Sequence, residues 1–323
     1  MTGVEAAPLV LGLDAGGTHT RGVAMTLDGR VLARSLRQGA NPRAVGDAEG
    51  RTRLEAAVAD LRAQAPGPVL HVAIGLAGLM DSAPDAVAAG WAERLGVPAA
   101  TVDTDARVAH AAAFGLGPGA IVVAGTGSQC LAIDPEGNRV RVGGWGSTFG
   151  DEGSAYWIAR TAITSALHAL DEGCDDPFTD DLARVAGTSL DAPAADLHDA
   201  LLRYLYGEAA TPDRHAAFAL RVAERAEAGA PQAEALLREA GAHLARLART
   251  AATRSHLMEV AYSGSVLSNN AHVRDAFLEA CREAELTVRP GRWDPALGAA
   301  RLARAAVDVG GRAGAGPSGA RGG

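Results

Sequence analysis

The strongest constraint on this chain is a unit that occurs twice. Near the start, an apolar strand over residues 9–13 runs into Asp14-Ala15-Gly16-Gly17-Thr18-His19-Thr20. A second apolar stretch follows, and Asp28-Gly29 turns it back. In the middle, residues 120–124 run into Gly125-Thr126-Gly127-Ser128, again followed by an apolar stretch and by a turn from Asp134 to Asn138. Each unit reads as strand, loop of glycine and hydroxyl residues, strand, tight turn, strand. Glycine lets a backbone come close to a ligand, and successive N–H groups in such a loop form a concavity for anions. Two such loops facing each other would grip a polyphosphate from both sides.

With 323 residues the chain is too long for one ordinary core and suits two domains. Its 48% hydrophobic and 21% charged residues are globular composition, enough to build a sizeable core. The net charge of -8 argues against nucleic acid or an anionic membrane as the main partner. It leaves ATP open, because a phosphate site is made locally by backbone donors and a metal. Cys130, Cys174 and Cys281 are scattered, with no CxxC spacing, and fit a reducing cytosol rather than a disulfide framework. The first eight residues lack a basic leader and the apolar run behind them is short, so neither a signal peptide nor a membrane span is expected and the expected location is cytoplasmic.

Along the first half, strand-like and helix-like segments alternate. Residues 69–76 read as a buried strand after an amphipathic stretch at 49–64, and 99–102 as a short strand after a helical stretch at 83–95. Such alternation predicts an α/β layout with a mostly parallel sheet. The glycine-rich stretch around residues 114–119 predicts a boundary, giving an N-terminal domain over 1–114 and a C-terminal one over 115–294. From 151 to 256 the pattern is almost wholly helical, with an insert at 182–229 to which no role beyond packing attaches. Residues 258–263 return to a strand, and 295–307 form a last helix. The Gly/Ala/Arg-rich end, 310–323, has nothing to bury and is expected to be disordered.

Several clusters carry candidate chemistry. Asp14 ends the first strand directly before the Gly16-Gly17-Thr18 turn, where α/β folds place phosphates. An aspartate there can hold Mg²⁺ while Thr18, Thr20 and loop N–H groups reach phosphate oxygens. An ordinary hairpin turn also reads Asp-x-Gly-Gly. The pattern is neither a Walker A loop nor a GxGxxG helix opening. Asp103-Thr104-Asp105-Ala106 closes one strand and opens a helix. One carboxylate there either caps that helix or accepts the proton of an alcohol undergoing phosphoryl transfer, and spacing does not choose between the two aspartates. Gly143-Gly144-Trp145-Gly146 and Gly150-Asp151-Glu152-Gly153-Ser154 pack five glycines, an indole and two acids together, suited to a polyol's hydroxyls. Gly264-Ser265 follows the late strand and suits an adenosine, and the amide of Asn41 suits a substrate hydroxyl.

Taken together, these residues resemble the N-acetylglucosamine kinases, within the actin, sugar-kinase and heat-shock-chaperone superfamily. The similarity runs from about residue 10 to 304 and is most specific from Gly125 through Gly144-Trp145 to Asp151 and Trp157. The same signature occurs in activator ATPases of benzoyl-CoA reductase and hydroxyglutaryl-CoA dehydratase and in bacterial glucosamine kinases. The resemblance implies two actin-like, ribonuclease H-like domains with a nucleotide- and sugar-binding cleft between them, the last helix returning to the first domain, and a homodimer. It implies ATP and Mg²⁺ as cofactors and phosphorylation of the 6-hydroxyl of N-acetylglucosamine, giving N-acetylglucosamine 6-phosphate and ADP. Asp14, Gly16, Gly17, Thr18 and Thr20 then form the first phosphate site, with Asp14 on the metal. Gly125, Thr126 and Gly127 form the second, and Gly264 and Ser265 part of the adenosine site. Asp105 matches the catalytic base, and Asn41, Ser128, Gly144, Trp145 and Asp151 join it at the sugar. The loop Ala40-Asn41-Pro42-Arg43 departs from the animal enzymes, which leaves glucosamine as an alternative acceptor. The cysteine-rich zinc motif of repressor-type sugar kinases is missing, and the three cysteines do not match the cluster ligands of the dehydratase activators.

Overall fold

The computed structural model describes residues 7–79 and 84–314. In chain order the elements are β1 (Leu9–Ala15), β2 (His19–Thr26), β3 (Val31–Gln38), α1 (Pro42–Val45), α2 (Asp47–Gln64), β4 (Val69–Leu76), α3 (Pro84–Leu95), β5 (Ala99–Thr104) and α4 (Asp105–Phe114). Next come β6 (Gly119–Ala124), β7 (Ser128–Ile133), β8 (Arg139–Gly143), α5 (Ala155–Glu172), α6 (Thr179–Val185), α7 (Ala194–Tyr206), α8 (Pro212–Ala216), α9 (Ala219–Glu227) and α10 (Pro231–Arg254). The chain closes with β9 (Glu259–Ser263), α11 (Ser265–Asn269), α12 (Ala271–Glu283), β10 (Thr287–Val288) and α13 (Pro295–Gly314). Internal contacts divide it into two compact units, one of residues up to 117 and from 293 on, the other of 118–292.

Each unit holds a five-stranded sheet, ordered β3-β2-β1-β4-β5 in the first and β8-β7-β6-β9-β10 in the second. The two sheets have the same sense throughout: the three-strand hairpin unit is antiparallel, and the other two strands add in parallel. This corrects the mostly parallel expectation. The duplicated hairpins fill one half of each sheet, and hairpins pair antiparallel by construction. The turns are those the residues dictate: Gly29 and Gly137 adopt φ of 94° and 87°, a region open to glycine at little steric cost.

In the first unit, alternation along β1 sends Leu9, Leu11 and Leu13 to a core with α2 and α3, and Val10 to a core with α4 and α13. The second face is built for close approach. A Cβ at Gly12 would lie 2.1 Å from the Ala300 backbone N, and one at Gly298 2.0 Å from the Val108 carbonyl. The bare glycines therefore let α13 lie directly on β1 and α4. α13 runs on to Gly314, so residues 310–314 are helical rather than disordered, and the expectation for 315–323 lies outside the described residues. In the second unit one core joins the sheet to α5, α6, α7 and α9–α12, with Phe178, Phe218 and Phe277 buried. No helix among the described residues is long and apolar enough to cross a membrane.

Candidate functional site

In the first unit, the carboxyl ends of three parallel strands carry the acids. Asp14 on β1 is level with Gly75 on β4, which is level with Asp103 on β5. Asp14 is buried, with the Arg21 guanidinium 3.9 Å from its carboxylate. Burial is the main force pushing its pKa up to about 7. Asp105 adds to the rise by repulsion, Arg21 opposes it, and Asp294 adds a smaller repulsion. Arg34 pairs with Asp294, so the half-exposed Arg21 is the one guanidinium acting on Asp14 against the repulsion of Asp105 and Asp294, a repulsion that a divalent cation would offset. Among the described residues no group of three or more His, Cys, Asp or Glu forms a metal cage. That donor set fits Mg²⁺, which keeps waters and phosphate oxygens as most of its ligands.

Neither aspartate of the 103–105 pair caps the helix. Thr104 is the N-cap of α4, its side chain accepting from the Arg107 N–H, and Asp105 is the first helical residue. The carboxylate of Asp105 lies at the positive end of the helix, its Oδ1 accepting from the Ala106 N–H at 2.8 Å. Asp103 stays within β5, its Oδ1 accepting from the Thr104 N–H at 2.8 Å.

The structure brings Asn41 to the first glycine turn. The Gly39 N–H donates to the Thr18 carbonyl at 2.9 Å and the Asn41 N–H to the Gly16 carbonyl at 3.3 Å. A Cβ at Gly39 would meet the Gly17 carbonyl oxygen at 1.8 Å, so only glycine permits this approach. Thr18 is exposed at the turn, whereas Thr20 is fully buried and its hydroxyl has no hydrogen-bond partner among the described residues.

In the second unit, the Gly125–Gly127 loop sits on the start of α5. The Ala155 and Tyr156 N–H groups donate to the carbonyls of Gly125 and Thr126. Ser128 is buried, its hydroxyl donating to the Glu152 carbonyl at 2.9 Å. Asp151 has φ 58°, a left-handed conformation rare outside glycine. That backbone turns its carboxylate against Gly127, where a Cβ would lie 2.8 Å from Oδ2. Burial raises the Asp151 pKa, and hydrogen bonds from the backbone of Ser128 and Gly146 act against the rise. Gly144 is tied to Ser128, its N–H donating to the Ser128 carbonyl, and the following loop presents Trp145 and Phe149 at 78% and 87% exposure. Gly264, with φ 99°, lies against the end of β6: a Cβ there would be 2.2 Å from the Ala124 carbonyl oxygen. The Gly264-Ser265 turn and the Gly125–Gly127 loop are thus neighbours.

The sequence reading missed Asp213. Its carboxylate accepts the Thr126 hydroxyl at 2.7 Å from 87 residues away, and no local pattern marks it. Phe149 was missed because a lone aromatic between a threonine and a glycine carries no periodicity.

The chain is 26% identical over 309 residues to an N-acetylmuramic acid/N-acetylglucosamine kinase of Clostridium acetobutylicum, covering 93% of this chain and 99% of that one. A crystal structure from Chromobacterium violaceum, provisionally named an N-acetylglucosamine kinase, superposes with a TM-score of 0.74 at 28% identity, over 93% of this chain and 99% of that one. One from Porphyromonas gingivalis with the same provisional name gives 0.70 at 20% identity, over 92% and 99%, and so shows the fold alone. The fold is that of two ribonuclease H-like, actin-type domains. A family model described as the BadF/BadG/BcrA/BcrD ATPase family matches residues 11–303, and the chain belongs to that family.

Proposed function

We propose that this protein is an ATP-dependent sugar kinase that phosphorylates the 6-hydroxyl of N-acetylglucosamine, giving N-acetylglucosamine 6-phosphate and ADP. The observation that carries the reading is the pair at the carboxyl ends of the parallel strands: a buried Asp14 with too little positive charge around it, and Asp105 close enough to raise its pKa. This is what a cation-dependent transfer to an alcohol requires. In the reaction the sugar oxygen bonds to the γ-phosphorus, the bond from that phosphorus to the ADP oxygen breaks, and Asp105 takes the hydroxyl proton. Mg²⁺, held through Asp14, would offset the phosphate charge. Gly16, Gly17 and Thr18, with Gly125, Thr126 and Gly127, bind phosphate oxygens, while Gly264 and Ser265 receive the adenosine. Asn41, Ser128, Gly144, Trp145 and Asp151 receive the sugar, the exposed indole stacking on its C–H face. Names of the relatives in Clostridium acetobutylicum and Chromobacterium violaceum support an amino-sugar acceptor.

The other reading, an ATPase activator carrying an iron–sulfur cluster, has less support. Cys130 and Cys281 are buried, leaving Cys174 as the one exposed thiol. A homodimer and a cytoplasmic location belong to the proposal, and light scattering on purified protein tests the dimer. The activity is tested by ADP release from Mg-ATP with N-acetylglucosamine, glucosamine, glucose or no sugar. Strong stimulation by N-acetylglucosamine is expected. A preference for glucosamine would change the acceptor, and sugar-independent turnover with an iron–sulfur chromophore would favour the activator.

A further inference from the structure

The insert of α6 to α9 is not inert toward the second glycine loop. Thr126 is the only side chain of the Gly125-Thr126-Gly127 loop, and its hydroxyl donates to Asp213 Oδ1 at 2.7 Å. Asp213 is fixed in turn by the short helix that carries it. Thr211 caps α8 by accepting from the Arg214 N–H, and Pro212 occupies its first turn. The next residues are clamped. Arg214 lies over the Tyr204 ring, and His215 packs between Tyr204 and Tyr156 with its Nε2 3.2 Å from the Tyr204 carbonyl oxygen. Tyr156 belongs to α5, the helix whose first N–H groups hold the loop carbonyls. The backbone of the loop is therefore set by α5 and its one side chain by α8.

We infer that Asp213 is a positioning residue for ATP: by tying down Thr126 it presets the glycine loop whose backbone N–H groups meet the phosphates, and it makes the helical insert part of the nucleotide site. A threonine hydroxyl has one proton and two lone pairs. With the proton given to Asp213, Thr126 has none to offer a phosphate oxygen: its side chain instead fixes the loop before the nucleotide arrives, and less ordering of the loop is left to oppose binding through its backbone N–H groups. Asparagine at 213 retains an oxygen that accepts the same hydrogen bond, whereas alanine does not. The inference rests on the assignment of residues 125–127 to ATP phosphates, and does not depend on which sugar is the acceptor.

The test is calorimetric binding of Mg-ADPNP to the full chain. Asp213→Ala should weaken binding about tenfold, the loss expected for one charge-assisted hydrogen bond, while Asp213→Asn stays within about threefold of wild type. Thr126→Val should weaken binding as much as Asp213→Ala, and the double variant should be no worse than either alone. The KM for the sugar should not move. Wild-type affinity in Asp213→Ala, or additive losses in the double variant, overturns the inference. If Asp213→Ala does not fold, Asp213→Glu, whose carboxylate reaches one methylene further, replaces it. Weakened binding is again expected, and wild-type affinity again overturns. Failure of the wild-type protein to bind Mg-ADPNP would remove the ATP assignment and this inference together. Binding by wild type and Asp213→Ala alike would remove only the inference.

Discussion

Asp14→Asn should make the metal-free protein more stable at high pH while weakening its binding of Mg-nucleotide. The folded-state pKa of Asp14 is raised from 3.8 to about 7, burial being the largest cause and Asp105 the next. A carboxyl group raised in this way stabilises the fold fully below its unfolded pKa, and that contribution is lost as pH rises through the folded value. At pH 8 the loss is close to complete: a little over three pKa units corresponds to about 4 kcal/mol. At pH 5 the folded protein keeps the proton while the unfolded chain has largely lost it, and the loss is about 2 kcal/mol. Asparagine, nearly isosteric and uncharged, removes this pH dependence at the cost of a weak contact with Arg21, half exposed and 3.9 Å away. The gain of the variant over wild type should therefore be about 2–3 kcal/mol larger at pH 8 than at pH 5. Urea unfolding in EDTA at both pH values measures it. Added Mg-ATP should stabilise the wild type at pH 8 more than the variant. An equal difference at the two pH values, or a variant less stable than wild type at pH 8, would refute the account of Asp14.

Other outcomes follow from the same geometry. Gly12→Ala places a methyl group 2.1 Å from the Ala300 backbone, so α13 must leave β1 or the strand must bend. We expect a loss above about 3 kcal/mol or no soluble protein, measured by thermal unfolding. Trp145→Ala, at a site 78% exposed, should leave the unfolding midpoint within a degree or two and raise the sugar KM severalfold without changing the KM for ATP. Asp151→Ala leaves the Ser128 and Gly146 N–H groups without their carboxylate and keeps a strained φ. It should destabilise by about 1–3 kcal/mol, whereas Asp151→Asn, which tolerates the same backbone and still accepts hydrogen bonds, should recover most of that.

Much of this architecture is written locally, and the parts that are not share a cause. The two hairpin units, the strand at Val69–Leu76 and the helix over Asp47–Gln64 follow from periodicity and turn residues a few positions apart. What escaped the sequence reading depends on partners far away. β10 is two residues long and exists only because it pairs with β9, and the parallel half of each sheet is set by pairings across whole helices. The run of α13 past residue 307 has no apolar signal of its own, since Gly310, Gly311 and Gly314 are poor helix formers. At the site, Asp14 and the glycine loops were legible because strand ends and glycines are local features. The choice of Thr104 over its acidic neighbours as the cap, the burial of Thr20 and the reach of Asp213 to Thr126 were not. The first turns on competition among three adjacent side chains that can all cap, and the others on tertiary packing.

The central claim is phosphoryl transfer to the 6-hydroxyl of N-acetylglucosamine with Asp105 as the base. The most direct measurement is ³¹P–¹H correlation NMR on N-acetylglucosamine incubated with Mg-ATP and the wild-type protein or Asp105→Asn. The account predicts a phosphorus coupled to the two C6 protons in the wild-type reaction, and product formation at least about a hundredfold slower in the variant although it still binds Mg-ADPNP. Phosphorus on another carbon, free phosphate in place of a sugar phosphate, or an unimpaired Asp105→Asn would contradict it.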